Sequence, residues 1–206
     1  MHKRIAVALA LALVALAPLA EARAKKPALE PGKYKEWGED IDEIEIAKSF
    51  KTSDYDNIAV TRIDTSKTPL PDPKEKWYES AKTVLNSYTE TLTESLRDEM
   101  KGKMKVDVAD NAPKTSRTLI LRGSVLAIDP GSRAGRMLAG YGAGASYTKL
   151  SGEFVDAKSG EVLVRFTQAR RSGGTFKFAG GGDVAVMRDA IHAVGKDVAH
   201  IVQAFQ

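Results

Sequence analysis

Glycines and arginines are concentrated between residues 131 and 147, where five glycines and two arginines occur. A glycine-rich loop binds phosphate when it leads from a strand into a helix, because the helix N-terminus presents free backbone N–H groups. Here Gly140, Gly142 and Gly144 are spaced G-x-G-x-G rather than G-x-G-x-x-G, and strand-like residues follow them. The chain also has no Gly-Lys-Ser/Thr sequence. We therefore expect neither a nucleotide site nor a cofactor.

A second interpretation of this segment is a membrane-inserting element. Gly131, Gly135 and Ala139 repeat small residues at a four-residue spacing that lets helices approach closely. The apolar residues 137–145 form a run of only about nine, whereas a spanning helix needs about 20. A strand of that length would cross only inside a closed barrel of several subunits. A ring-forming subunit similar to a curli-type secretion channel therefore stays open as the alternative.

The third interpretation is structural, and it is the one on which our main hypothesis depends. Glycines would let the main chain pass closely over a sheet while it crosses from one strand to the next. We assign this role to five residues: Gly131, Gly135, Gly140, Gly142 and Gly144.

The sequence offers few groups for catalysis or for metal binding. His192 and His200 lie eight residues apart, with Lys196 between them, and all three fall outside the apolar positions of the last helix. No acid at helical spacing completes a ligand set around them, which argues against a metal site. The chain has no cysteine, and its serines lack a nucleophile-elbow context. We expect no catalytic residue, no metal ligand and no enzyme activity.

Basic residues between positions 114 and 177 outnumber acidic ones, so this part of the chain could present a positively charged face. Such a face would bind an envelope protein or an anionic component of the envelope. The candidate partner-binding residues are Arg133, Arg136, Arg165, Arg170 and Arg171.

The first 24 residues have the layout of a secretory signal peptide. Lys3 and Arg4 precede an uninterrupted apolar run of 12 residues, and small residues at positions 22 and 24 suit a signal peptidase. We predict cleavage after Ala24, with Ala20 as the other candidate site. The run is too short for a spanning helix, so we expect an exported, periplasmic protein without an integral membrane span, and an association with the outer membrane stays open.

Cleavage would leave 182 residues, enough for one domain. It would also remove three basic residues and one acidic residue, so the net charge would fall from +4 to +2. That excess is too small to favour nucleic acid as a partner. With no disulfides available, stability must come from packing.

The elements predicted along the chain follow from apolar periodicity. We predict that residues 25–54 form a flexible leader with a candidate edge strand at 42–50. We predict that residues 55–206 form a single domain. Its elements are a strand at 57–64, a helix from Asp72 to Gly102, strands at 104–108 and 116–129, a hairpin turning at 157–160, and a helix from Asp183. We predict an α+β fold, in which about five mostly antiparallel strands pack against two long helices.

The glycine-rich segment, the strand after it and the sequence "DAKSGEVL" resemble the bacterial domain-of-unknown-function family 4410 of exported envelope proteins. Members of that family are more loosely similar to the amino-terminal domain of TolB and to lipoproteins that activate penicillin-binding proteins. The resemblance implies a compartment and a fold rather than a chemistry. It favours a non-catalytic binding or accessory protein of the periplasm, of unassigned pathway and unknown oligomeric state.

Overall fold

A computed structural model describes residues 27–38, 40–110, 117–132, 144–172 and 182–206. Within these ranges the strands are β1 (Gly32–Trp37), β2 (Ile41–Ile46), β3 (Asn57–Thr61), β4 (Lys105–Ala109), β5 (Thr118–Asp129), β6 (Ser146–Asp156) and β7 (Val162–Ser172). The α-helices are α1 (Tyr78–Asn86), α2 (Tyr88–Met100) and α3 (Asp183–Ala204).

The strands form one mixed sheet in the order β1-β2-β7-β6-β5-β3-β4. Strand β3 runs parallel to both β4 and β5, and the other neighbouring pairs are antiparallel. The predicted arrangement of about five mostly antiparallel strands with two long helices is therefore wrong. The physical reason is the connection between β3 and β4, because a helical crossover returns the chain in the parallel direction.

The helices cover one face of the sheet, which we call the inner face; the opposite face is the outer face. Strand β6 shows the division, since Ser146, Thr148, Leu150, Gly152 and Phe154 are buried while the residues between them are half-buried. This alternation follows from the two-residue side-chain period of a strand. Helix α3 packs against β6 and β7, and α2 packs against β3, β4 and α3.

The long helix predicted between residues 72 and 102 is two helices with a break at Ser87. The Ser87 hydroxyl lies 3.3 Å from the carbonyl oxygens of Thr83 and Val84, where it donates to the backbone. Such hydroxyl bonds compete with the helical ladder and bend helices. Asp72, where the helix was predicted to begin, accepts a hydrogen bond from the N–H of Lys74 at 2.8 Å, but the helix begins only at Tyr78.

The predicted apolar positions of the last helix are confirmed. Met187, Ile191, Val194 and Val198 are fully buried in the single large core shared by the sheet and the helices. The helix begins at Asp183, with Gly182 rather than Asp183 as its N-cap. Periodicity at three- and four-residue steps therefore identified the buried side of α3 correctly.

The N-terminal region contributes two strands to the sheet. Strand β2 was expected at an edge, but it pairs with both β1 and β7, so β1 is the edge strand on this side. Strand β1 also begins within the range predicted as a flexible leader. Trp37 fixes this region, since its indole N–H donates to the Ala28 carbonyl at 2.6 Å.

The predicted hairpin is confirmed as β6 and β7, with a turn in which Gly160 has a φ of +74°. In the middle of the sheet Gly123 of β5 faces Gly152 of β6. A Cβ on Gly152 would lie 2.4 Å from the Phe166 ring, so only glycine fits beneath this ring. Among the described residues, no helix is long and apolar enough to cross a membrane.

Candidate functional site

Five side chains of alternating charge cross the outer face in a row perpendicular to the strands. Cross-strand register places them on β1, β2, β7, β6 and β5, and we call them the charge ladder: Lys33, Glu45, Arg165, Glu153 and Arg122. Successive N···O distances are 3.7, 4.0, 3.4 and 2.5 Å. Opposite charges on directly facing residues stabilise a sheet, so each member has an oppositely charged neighbour.

Short side chains form the next row along the strands. Thr167, Ser151 and Ser124 face one another across β7, β6 and β5. Because these side chains are short and the ladder residues are long, the outer face has a depression beside the ladder. It comprises two adjoining concavities, which share Ser151 and Arg165 and have volumes of about 430 and 410 Å³.

The larger concavity lies over β1, β2 and β7 and has mixed charge. Its charged lining includes Lys33, Lys35, Glu43, Glu45 and Arg165. The acids nearly balance the basic groups there, so this end of the depression has little preference for the sign of a ligand's charge.

The smaller concavity, which we call the arginine pocket, lies over β5, β6 and the end of β3. Its lining includes Arg62, Arg122, Arg165, Glu153, Ser124 and Ser151. Glu153 accepts from Arg122 through one carboxylate oxygen and faces the Arg165 Nε through the other. Three arginines and one glutamate therefore line this pocket, and the net charge of its lining is +2.

Arg171 and Lys149 lie on the same outer face, beyond the row of short side chains. Arg171 stacks over the Tyr147 ring, with its guanidinium carbon 5.1 Å from the ring centroid. Lys149 faces Ala127 and Ala169 on its two neighbouring strands. Neither residue lines the two concavities, but both add positive charge to the outer face.

A second polar cluster, which we call the Asp197 network, lies between the inner face and α3. Its members are Asp40, Gln168, Arg170, Asp197 and His200. Arg170 donates to both oxygens of Asp197, at 2.5 and 2.7 Å, and to Asp40 at 2.7 Å. Gln168 also donates to Asp197, at 2.6 Å, and His200 Nδ1 lies 2.8 Å from Asp40. The network thus connects the turn after β1 with β7 and α3.

Burial and hydrogen bonds oppose each other in this network. Burial raises the pKa of Asp197 above its ordinary value, although Arg170 and Gln168 stabilise the carboxylate. Partial burial alone would raise the pKa of Asp40, but His200 and Arg170 outweigh it and lower that pKa. Hydrogen bonds to Asp197 raise the pKa of Arg170, so this arginine stays charged.

Asp40, Asp197 and His200 bring possible metal-ligand atoms within 4.8 Å of one another. The Arg170 guanidinium already pairs with both carboxylates, however, and it would have to leave before a cation could bind. The chemistry of these side chains is therefore that of an ion-pair network rather than of a metal site.

The candidate arginines do not form a single face. Arg165 and Arg171 lie on the outer face, whereas Arg170 points inward into the Asp197 network. Arg133 and Arg136 lie outside the described residues, as do Gly135, Gly140 and Gly142. Gly131 and Gly144, with φ of +70° and +76°, approach each other so closely that a Cβ on Gly131 would lie 2.1 Å from the Gly144 oxygen.

Sequence reasoning missed several members of both clusters. Arg62 and Arg122 occur in separate strands or strand ends, and only the pairing of β3 with β5 brings them together. Asp197 was not considered, although it lies three residues before His200 on α3. The helical spacing of this pair was the available signal, because residues three apart share a helix face.

Comparison with protein families shows which family the chain belongs to. A model described as a domain of unknown function, DUF4410, matches residues 43–174, which run from β2 through β7. The chain belongs to this family. The DUF4410 match includes the glycine-rich segment on which the resemblance depends, the β6–β7 hairpin and most of the outer face. The looser similarity to the TolB amino-terminal domain and to penicillin-binding-protein activators stays a prediction. No curated protein matches the chain.

Solved structures similar to this DUF4410 chain include uncharacterised proteins and lipoproteins. A PelC dodecamer from Paraburkholderia phytofirmans is 17% identical, with a TM-score of 0.43 over 79% of this chain and 98% of that one. Protein XCC0632 from Xanthomonas campestris is 15% identical, with a TM-score of 0.41 over 72% and 84% of the two chains. Lipoprotein GNA1162 from Neisseria meningitidis is 15% identical, with a TM-score of 0.28 over 71% and 94%. At these TM-scores they support no functional inference.

Proposed function

We propose that this protein is a non-catalytic accessory protein of the bacterial cell envelope, exported to the periplasm, which binds another envelope component through the outer face of its sheet. The N-terminal signal-peptide pattern and membership of the DUF4410 family support the compartment. The outer face supports the binding role.

One observation carries the proposal. Helices α1, α2 and α3 share their core with the inner face, and no described helix packs against the outer side of β7, β6 and β5. This uncovered side has two adjoining concavities instead of a flat surface. An open sheet face with a shaped, charged depression is suited to binding a polar partner.

The arrangement of polar groups favours binding over catalysis. In the Asp197 network, each described side chain is held by a charged or amide partner, and none is a serine positioned beside a base. In the charge ladder the acids are likewise paired with arginine or lysine. A catalytic base needs a substrate proton within reach, whereas these carboxylates already accept from cations.

Site-specific photocrosslinking in intact cells tests the proposal. A photoreactive residue at Thr167, on the outer face, should capture an envelope component, because this residue lines the larger concavity of the depression. The same residue at Thr83, which is exposed on α1, is the matched control and should capture little. Equal capture at both positions, or none at Thr167, would reject the outer face as the binding surface.

Fractionation tests the compartment separately. We expect release of the processed protein by osmotic shock, because the signal peptide would direct export and no described helix spans a membrane. Retention of the unprocessed chain in the cytoplasm would contradict the proposed location, and a detergent-requiring ring would favour the channel-like alternative.

A further inference from the structure

We propose that the arginine pocket binds a phosphomonoester group. This inference names the ligand class of the outer face and rests on the proposed function. Its central observation is that three arginines, Arg62, Arg122 and Arg165, line a concavity of about 410 Å³ whose lining includes a single carboxylate, Glu153. That volume is within the usual range for a small-molecule site, which is roughly 300–1,000 Å³.

Among the described residues, the ion pairs occupy only one of the terminal guanidinium nitrogens of Arg122 and Arg165. Arg122 contacts Glu153 through Nε, whereas Arg165 faces Glu153 through Nε at 3.4 Å and Glu45 through Nη1 at 4.0 Å. Within the described residues, the terminal nitrogens of Arg122 make no hydrogen bond, and Arg62 has neither a hydrogen bond nor an ion pair. Glu153 therefore orients two guanidinium groups rather than saturating them. Guanidinium groups held in this way bind tetrahedral oxyanions through paired N–H donors.

Hydroxyl groups complete the donor set. Ser124 and Ser151 face each other across β5 and β6, at the base of the same pocket. Each hydroxyl can donate one hydrogen bond to a phosphate oxygen. A carboxylate has fewer oxygens than a phosphate and would use these donors less fully.

Charge decides between the classes of anion. A phosphomonoester carries about −1.5 to −2 at neutral pH, whereas a phosphodiester or a carboxylate carries about −1. Three arginines and one glutamate leave +2 in the pocket. A dianion therefore neutralises the pocket, and a monoanion leaves it positively charged. The ligand could be a soluble phosphomonoester or a phosphomonoester lipid headgroup, because both present the same group.

Calorimetric titration of the folded full-length protein with inorganic phosphate, at low salt and mildly alkaline pH, tests the pocket. We expect saturable binding that Arg62→Gln weakens about tenfold or more, the size expected for one charge-assisted hydrogen bond. Arg62 has no partner to lose, so the variant should fold normally. Arg188→Gln, an exposed arginine on α3, is the matched control and should bind as the unaltered protein does.

Three results would overturn the inference: no phosphate binding, equal binding by the Arg62→Gln variant, or equal affinity for dimethyl phosphate. If phosphate does not bind but Thr167 still captures an envelope component, the ligand class is wrong and the proposed function stands. If neither occurs, both are wrong.

Vesicles distinguish the two sources. Binding to phosphatidic acid vesicles, but not to phosphatidylglycerol vesicles of equal surface charge, supports a lipid headgroup because only the former lipid is a phosphomonoester. Binding of inorganic phosphate without binding to either vesicle supports a soluble source. Equal binding to both vesicles would reject selectivity for the phosphomonoester.

Discussion

At the residue scale, the most demanding side chain is Asp197. Its side chain is only 5% exposed, and three hydrogen bonds from Arg170 and Gln168 replace the water it has lost. A buried carboxylate is tolerated only when such partners are present. Arg170 is therefore a structural residue that belongs to the inner face, and not a member of a binding surface.

Replacing Arg170 tests whether the buried Asp197 carboxylate depends on it. We expect Arg170→Met to destabilise the fold by about 3–5 kcal/mol, because Asp197 would stay buried without its cation. Arg171→Met, the next residue but on the outer face, should change the free energy of unfolding by about 0.5 kcal/mol or less. Urea denaturation followed by circular dichroism measures both. Similar losses in the two variants would show that Asp197 does not depend on Arg170.

The double variant Arg170→Met/Asp197→Leu distinguishes the net contribution of the ion pair to stability from the cost of leaving a buried carboxylate unpaired. Replacing both charges with apolar side chains should recover much of the lost stability, since no carboxylate would stay unpaired. A double variant as unstable as the single one would contradict this explanation.

At the element scale, α2 and α3 approach each other at Ser95 and Gly195. The Ser95 hydroxyl donates to the His192 carbonyl at 2.6 Å, across the two helices. A Cβ on Gly195 would lie 2.6 Å from the Ser95 Cβ and 3.1 Å from the Leu92 oxygen. The absence of a side chain at residue 195 therefore sets the distance between the helices.

Gly195→Ala should force the helices apart. We expect a loss of about 1–3 kcal/mol, because an added methyl group overpacks a filled contact and outweighs the better helix propensity of alanine. Arg188→Ala is the control, since this residue of the same helix is exposed. Thermal unfolding should show a lower midpoint for the first variant and little change for the second. An unchanged midpoint in Gly195→Ala would mean that the interface yields easily.

Elements were predictable where the evidence was local. The β6–β7 hairpin and the buried side of α3 follow from periodicity and from a turn glycine. Strand β1 was missed because its burial pattern has no regular apolar alternation and Trp37 is its one buried residue. The break at Ser87 was missed because it depends on where a hydroxyl bonds rather than on hydrophobicity.

The candidate site was predictable only in part, because residues were grouped by charge and not by face. Arg165 and Arg170 are five positions apart, an odd number, so a two-residue period puts them on opposite faces. Arg165 and Arg171 differ by an even number and do share the outer face. The arginine pocket needed the pairing of β3 with β5, which no local pattern reveals.

At the scale of the whole molecule, the N-terminal strands and the C-terminal helix hold each other in place. Asp40 follows β1 and bonds both Arg170 on β7 and His200 on α3. The Trp37 and Phe205 rings also stack, with centroids 6.3 Å apart. Contacts between residues so distant in sequence make the stability of the whole sheet depend on this junction.

The junction predicts how stability changes with pH. Because the pKa of Asp40 is lower in the folded protein than its ordinary value of 3.8, its contribution is complete above that value. The contribution is lost as the pH falls through the folded pKa. Asn at position 40 should therefore destabilise the protein at neutral pH and make less difference at acid pH.

Urea midpoints measured from about pH 7 down to about pH 2 test this, since the series must extend below the ordinary carboxyl pKa of about 4. Glu36→Gln, in the same strand pair but exposed, is the control and should show little difference at any pH. A constant gap between Asp40→Asn and the unaltered protein would contradict the assignment.

The charge ladder also affects the register in which neighbouring strands pair. Its signs alternate without interruption from Lys33 to Arg122, so each strand accepts only a neighbour of opposite sign at that row. Shifting β7 by one residue would turn Arg165 toward the apolar core and leave two glutamates without their shared cation. A shifted register therefore costs free energy on both faces of the sheet, so the ladder favours the native alignment independently of the helices.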